Sequence, residues 1–192
     1  MRVARELFTQ NGYHHTTLDE IARHAEFGKG TIYNYFPSKE ELFFGIIERL
    51  TEELIVLAQE CSRAGDARTQ LGAYANAMIA HARDNADLFT LIMREVHHLD
   101  SEKYEKKLQA VHRRARTVWE TLARPIKGAI GAGSIRSSDP LWLAALFDGM
   151  VRTYCLTRYG SLALMTPHGP EDPGALIVSV FFDGVSQRQQ KG

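Results

Sequence analysis

The apolar positions Leu18, Ile21, Ala22 and Ala25 follow the i, i+3, i+4, i+7 spacing of one helical face. Thr17, followed three residues later by Glu20, is a capping box that marks where this helix starts. Ala25, Glu26 and Phe27 make a short turn, in which Phe27 is expected to plug the angle between two helices, and Gly28 can cap the next one. That second helix is predicted from about Gly28 to Phe36. Ile32 and Phe36, four residues apart, face inward, which turns Lys29, Gly30, Thr31, Tyr33, Asn34 and Tyr35 wholly or partly outward. Pro37 ends it. Ser38 with Glu41 then makes a second capping box and opens a long helix carrying Phe43, Ile46, Ile47, Leu50, Leu54 and Leu57. The arrangement reads as a helix-turn-helix whose outward donors and aromatic rings suit a groove of DNA.

Beyond residue 60 the three-four spacing continues, without a convincing alternating strand. Helices are predicted over Gln70–Arg83, over Ala86–Val96, and from about Ser101 to Ile130, the last with a kink at Pro125, which lacks a backbone donor. Ser138, Asp139 and Pro140 signal the start of another helix, Leu141 to about Arg158, apolar nearly all round. Asp172-Pro173 opens a last helix ending near Gln187. The fold class is all-α, with a three-helix domain at 1–48 and a larger helical domain at 49–192. Leu143, Leu146, Phe147, Met150, Val151 and Tyr154 in one of the last two helices, and Leu176, Ile177, Val180, Phe181 and Val185 in the other, offer more apolar surface than one small domain covers, so self-association is expected there. Gly149 and Gly184 would allow close backbone approach.

Composition narrows the function classes. The 23 Lys and Arg balance 23 Asp and Glu, so any DNA contact must be local rather than a product of bulk charge. No stretch approaches the roughly 20 apolar residues of a membrane span, and Met1 leads directly into an amphipathic helix, so the chain is expected to be cytoplasmic with no membrane partner. Cys61 and Cys155 have no CxxC partner and read as small buried hydrophobes. The adjacent pairs His14-His15 and His97-His98 carry no metal-ligand spacing, since neighbours on a helix point about 100° apart. His14 and His15 sit in a loop where phosphate contact and plain solvent are open alternatives. The Gly28-Lys29-Gly30-Thr31 run fails the nucleotide P-loop pattern, and no catalytic triad spacing stands out. Neither a cofactor, a metal nor an enzyme activity is expected.

The segment ELFTQNGYHHTTLDEIARHAEFGKGTIYNYFPSKEELF resembles the N-terminal DNA-binding domain of the tetracycline-repressor (TetR) family of transcription regulators, over roughly the first quarter of the chain. The marks are Leu7-Phe8, Gly12-Tyr13, Thr16-Thr17, Ile21-Ala22, Gly30 to Tyr33, Tyr35-Phe36 and Ser38 to Leu42. Met1 falls close to the middle of the family's usual first helix, and Glu26 stands where a small residue, often Gly, is usual. The resemblance implies double-stranded DNA as partner, with contacts from Thr17, Gly28, Lys29, Gly30, Thr31, Tyr33, Asn34, Tyr35 and Lys39. It implies a homodimer matched to a palindromic operator, with Phe147, Val151, Leu176, Ile177, Val180 and Phe181 at the interface. It implies a repressor released by a small hydrophobic or amphipathic effector, for which Met78, Phe89, Met93, Trp119, Phe147, Met150 and Tyr154 are candidate lining residues. A DNA-binding dimer controlled without a small molecule stays open as the alternative.

Overall fold

Side-chain caps start the helices where the sequence places them. In the computed structural model, which describes residues 1–63, 65–95, 101–160 and 169–185, the Thr17 hydroxyl accepts the Glu20 amide (3.1 Å) and the Ser38 hydroxyl accepts the Glu41 amide (3.2 Å). Asp139 accepts the amides of Leu141 and Trp142, with Pro140 in the first turn, and Asp172 accepts that of Ala175. The described residues form nine helices and no strand: α1 (Arg2–Asn11), α2 (Leu18–His24), α3 (Lys29–Tyr35), α4 (Lys39–Cys61), α5 (Ala67–Asp84), α6 (Ala86–Glu95), α7 (Ser101–Gly131), α8 (Pro140–Tyr159) and α9 (Pro173–Val185). The chain is thus all-α. α7 continues unbroken through Pro125, and α4 runs without interruption past residue 48.

The chain divides into two compact units, Met1–Glu52 with Asn85–His112, and Glu53–Asp84 with Arg113 onward. In the first, Phe8, Tyr13 and Phe43 cluster with ring centroids 5.0–6.2 Å apart, over buried Leu7, Leu18, Ile21 and Ile32. Removing Phe8 from water is worth about 1.5–3 kcal/mol. α6 packs its buried Leu88, Phe89, Leu91 and Ile92 in the same unit, where α1 meets α6. The α1–α2 connection is held by Thr16, whose buried hydroxyl reaches the carbonyls of Gly12 (2.8 Å) and Leu7 (3.3 Å), and Gly12 itself takes φ +83°.

The second unit is built on α5, which packs against α8 and α9. Leu71, Tyr74, Ala75 and Met78 are fully buried along it, and Phe147 from α8 meets Phe181 from α9 edge to face at 5.1 Å. Gly174 of α9 lies against the Asn76 amide of α5, which a methyl group there would push aside. Gly149 and Gly184, by contrast, have no described atom of this chain within 4 Å of the position a methyl would take.

Candidate nucleic-acid interface

The turn between α2 and α3 is set by backbone bonds. The Phe27 amide donates to the Ala22 carbonyl (2.9 Å) and the Glu26 amide to the Arg23 carbonyl (3.2 Å), the paired bonds of a Schellman cap. That cap needs a left-handed residue at its centre, and Glu26 supplies it at φ +58°, the only non-glycine positive φ among the described residues. The position explains why a small residue is usual there. One expectation is corrected here: Phe27 does not plug the interhelical angle, because the reversal at Glu26 turns it outward and 60% of it is exposed. Buried Leu18, Ile21 and Ala22 of α2 and Ile32 of α3 fill that place instead.

With Ile32 anchored, α3 presents Lys29, Gly30, Thr31, Tyr33, Asn34 and Tyr35 to solvent, flanked by exposed Thr17 and Gly28. A methyl at Gly30 would meet nothing within 4 Å. Lys29 Nζ lies 2.6 Å from Asp19 Oδ2 in the first turn of α2 and 5.9 Å from the centre of the Tyr33 ring. The hydrogen bond from Lys29 holds the Asp19 carboxyl below its ordinary range, and the same bond raises Lys29. A hydrogen bond to Asp19 also raises the Tyr33 hydroxyl. Lys39 is half-buried, with its ammonium on the carbonyls of Tyr13 (2.8 Å) and His14 (3.2 Å) and 4.5 Å from the Tyr13 ring centre. The His14 side chain is 67% exposed. Its Nε2 lies 3.0 Å from Oε2 of buried Glu95, whose other oxygen accepts from Arg94 Nε at 2.7 Å. His97 and His98 lie outside the described residues.

The candidate effector residues are divided between the two units. Phe89 and Met93 belong to the first unit and Met78, Trp119, Phe147, Met150 and Tyr154 to the second. Met78 and Phe147 are fully buried, Met150 and Tyr154 half-buried, and the side chain of Met93 lies outside what is described. A groove of about 530 Å³ in the second unit is lined by Arg68, Pro125, Ala129 and Phe182 among others, and by none of the seven candidates. Of the proposed interface residues, Leu176 and Val180 are half-exposed (50% and 54%), while Phe147, Val151, Ile177 and Phe181 lie in the unit's own core. Leu146 on α8, which the sequence also marks for self-association, is exposed, and so is Trp142, which the sequence reading did not single out.

Another cluster went unread. Buried Asp148 accepts from Tyr74 Oη (2.5 Å), Trp119 Nε1 (2.8 Å) and Arg152 Nε (2.6 Å), joining α5, α7 and α8. Burial, then the charge of Asp148, pushes the Tyr74 hydroxyl well above its ordinary range. The legible signal was an acid and an arginine four apart on an apolar helix. Cys155 in the same helix is buried, and burial pushes its thiol up to about 11, whereas Cys61 is half-buried. Among the described residues no His, Cys, Asp and Glu group could hold a metal ion, and no helix is long and apolar enough to cross a membrane.

Residues 1–46 match the sequence profile of bacterial regulatory proteins of the tetR family. The chain is 30% identical over 160 residues to the HTH-type transcriptional regulator TcmR of Streptomyces glaucescens, covering 79% of this chain and 68% of that one. It is 28% identical over 166 residues to the HTH-type transcriptional regulator YhgD of Bacillus subtilis, covering 77% and 81%. The fold is similar to that of the fatty acid degradation regulator FadR from Bacillus halodurans, with TM-score 0.74 at 16% identity over 97% of this chain and 94% of that one.

Proposed function

Because this chain belongs to the TetR family of DNA-binding transcriptional regulators, we propose that it acts in the cytoplasm as a homodimeric repressor. In this reading residues 1–48 read DNA, and residues 49–192 bind a small hydrophobic or amphipathic effector and dimerise. The observation that carries the reading is the solvent-facing side of α3. A capped turn and buried Ile32 hold Lys29, Thr31, Tyr33, Asn34 and Tyr35 outward on a surface with room for close approach at Gly30. Lys29 and Asn34 are the side chains suited to base edges. The hydroxyls of Thr17, Thr31, Tyr33 and Tyr35, with Lys39, are suited to phosphates, and Gly28 to backbone contact.

Two such heads on a twofold axis would meet a palindromic operator with half-sites about 34–36 Å apart. Trp142 and Leu146 on α8 and Leu176 and Val180 on α9 support the dimer, since they are large apolar side chains left in solvent on two helices that pack together. Joining two weak half-site contacts raises overall affinity without any new contact.

The test is a fluorescence anisotropy titration against DNA upstream of the protein's own gene, at fixed salt and with competitor DNA. Competitor-resistant binding with two chains, or a multiple of two, per site is the expected result. Binding no tighter than to random-sequence DNA overturns the reading.

A further inference from the structure

A buried carboxylate is costly unless donors converge on it, and Asp148 has more than it needs. Tyr74 Oη occupies Oδ1 and Trp119 Nε1 occupies Oδ2, so both oxygens are hydrogen-bonded before Arg152 is considered. Arg152 balances the charge, yet it commits only Nε, which joins Trp119 Nε1 on Oδ2. No other bond to its guanidinium is found among the described residues, and 32% of its side chain is exposed. Trp119, 36% exposed, shares the same oxygen, so an indole edge and a guanidinium stand side by side.

Pinning Nε fixes the plane of a guanidinium. The terminal nitrogens then present their hydrogens as a pre-oriented fork, which matches a carboxylate in two-point geometry, and little rotamer freedom is left to lose on binding. The adjoining indole offers a flat apolar surface for the rest of a ligand. We infer that Arg152 and Trp119 form an anion-binding subsite for a small amphiphile, with its carboxylate on the Arg152 fork and its apolar body along Trp119, and with Asp148 as the positioning residue. This rests on the effector-responsive reading above and assigns the effector a negative charge.

Calorimetric titration of the full chain with octanoate and with octan-1-ol separates head group from tail. Octanoate is expected to bind about ten-fold more tightly than the alcohol. Arg152→Gln should abolish that preference, and Arg152→Lys, which keeps the charge without the fork, should leave it intermediate. Because Arg152→Gln strands the Asp148 charge, the double variant Asp148→Asn/Arg152→Gln tests the same loss in a neutral cluster. No saturable octanoate binding, no preference over the alcohol, or a preference that survives in a folded Arg152→Gln variant would each overturn the subsite. Operator release separates the two readings. If octanoate binds through Arg152 but leaves DNA affinity unchanged, the subsite stands and octanoate is no effector. If octan-1-ol releases DNA as well as octanoate does, effector control stands and the subsite falls.

Discussion

Lys29 Nζ and Asp19 Oδ2 are 2.6 Å apart, so the first cation of α3 is held by the first turn of α2 rather than offered freely to solvent. Any phosphate or base edge that takes Lys29 must compete with Asp19. Asp19→Asn removes that competitor while leaving the Thr17 cap in place, and DNA should bind several-fold more tightly with a steeper dependence on salt. Anisotropy at two salt concentrations measures both. Unchanged affinity would place Lys29 outside the DNA contact.

Lys29 and Lys39 should fail differently. Lys29→Ala is expected to relax sequence preference at one operator position if, as proposed, Lys29 reads a base edge. Lys39→Ala should weaken all sequences alike and reduce the salt slope by about one unit. It should also loosen the connection at residues 13–14, whose carbonyls its ammonium now holds. A panel of single-base operator variants, read with both mutants, tests the division.

The left-handed backbone at Glu26 implies a stabilising substitution. Glu26→Gly removes a steric penalty of roughly 1–2 kcal/mol, partly offset by the greater freedom of glycine in the unfolded chain. The net effect should be a melting temperature higher by about 2–4 °C, read by circular dichroism. Glu26→Val should lower it.

Cys155 gives the chain an alkaline liability. Its thiol is raised from 9.0 to about 11 by burial, so the unfolded chain loses this proton first as pH rises. The neutral thiol therefore stabilises the fold fully below pH 9, and that contribution is lost as pH climbs through about 11. Cys155→Ala should flatten the fall in denaturation midpoint over this window relative to the parent chain. Half-buried Cys61 should react with a thiol reagent at pH 8 well before Cys155 does.

Charge placed on the exposed apolar side of α9 should separate association from folding. Val180→Glu, at a half-exposed site, should yield monomers by sedimentation with the helical signal intact. Phe181→Ala, one residue along but buried, should instead cost about 3–5 kcal/mol of stability. Val180→Glu remaining dimeric would move the interface off this face.

Local chemistry made the helices legible. Thr17, Ser38, Asp139-Pro140 and Asp172-Pro173 act within one turn of themselves, so their effect can be read without knowing what lies across the fold. Phe27 could not be placed that way, because its direction follows from the backbone reversal at Glu26 rather than from apolar spacing. The same limit applies to α8 and α9, where apolar residues occupy nearly every face. Spacing groups Ile177 with Val180, but only the packing of α5, α8 and α9 decides which of the two turns inward. Asp148 was hidden for a related reason: two of its three donors come from other helices, 74 and 29 residues away.

The connection between α1 and α2 is clamped by the Thr16 hydroxyl on the Gly12 and Leu7 carbonyls and by Lys39 on those of Tyr13 and His14. A segment tied at so many points has little left to order when α2 and α3 meet DNA. Calorimetrically, docking should then carry only the heat-capacity change of the surface it buries, without the larger one that accompanies folding on contact.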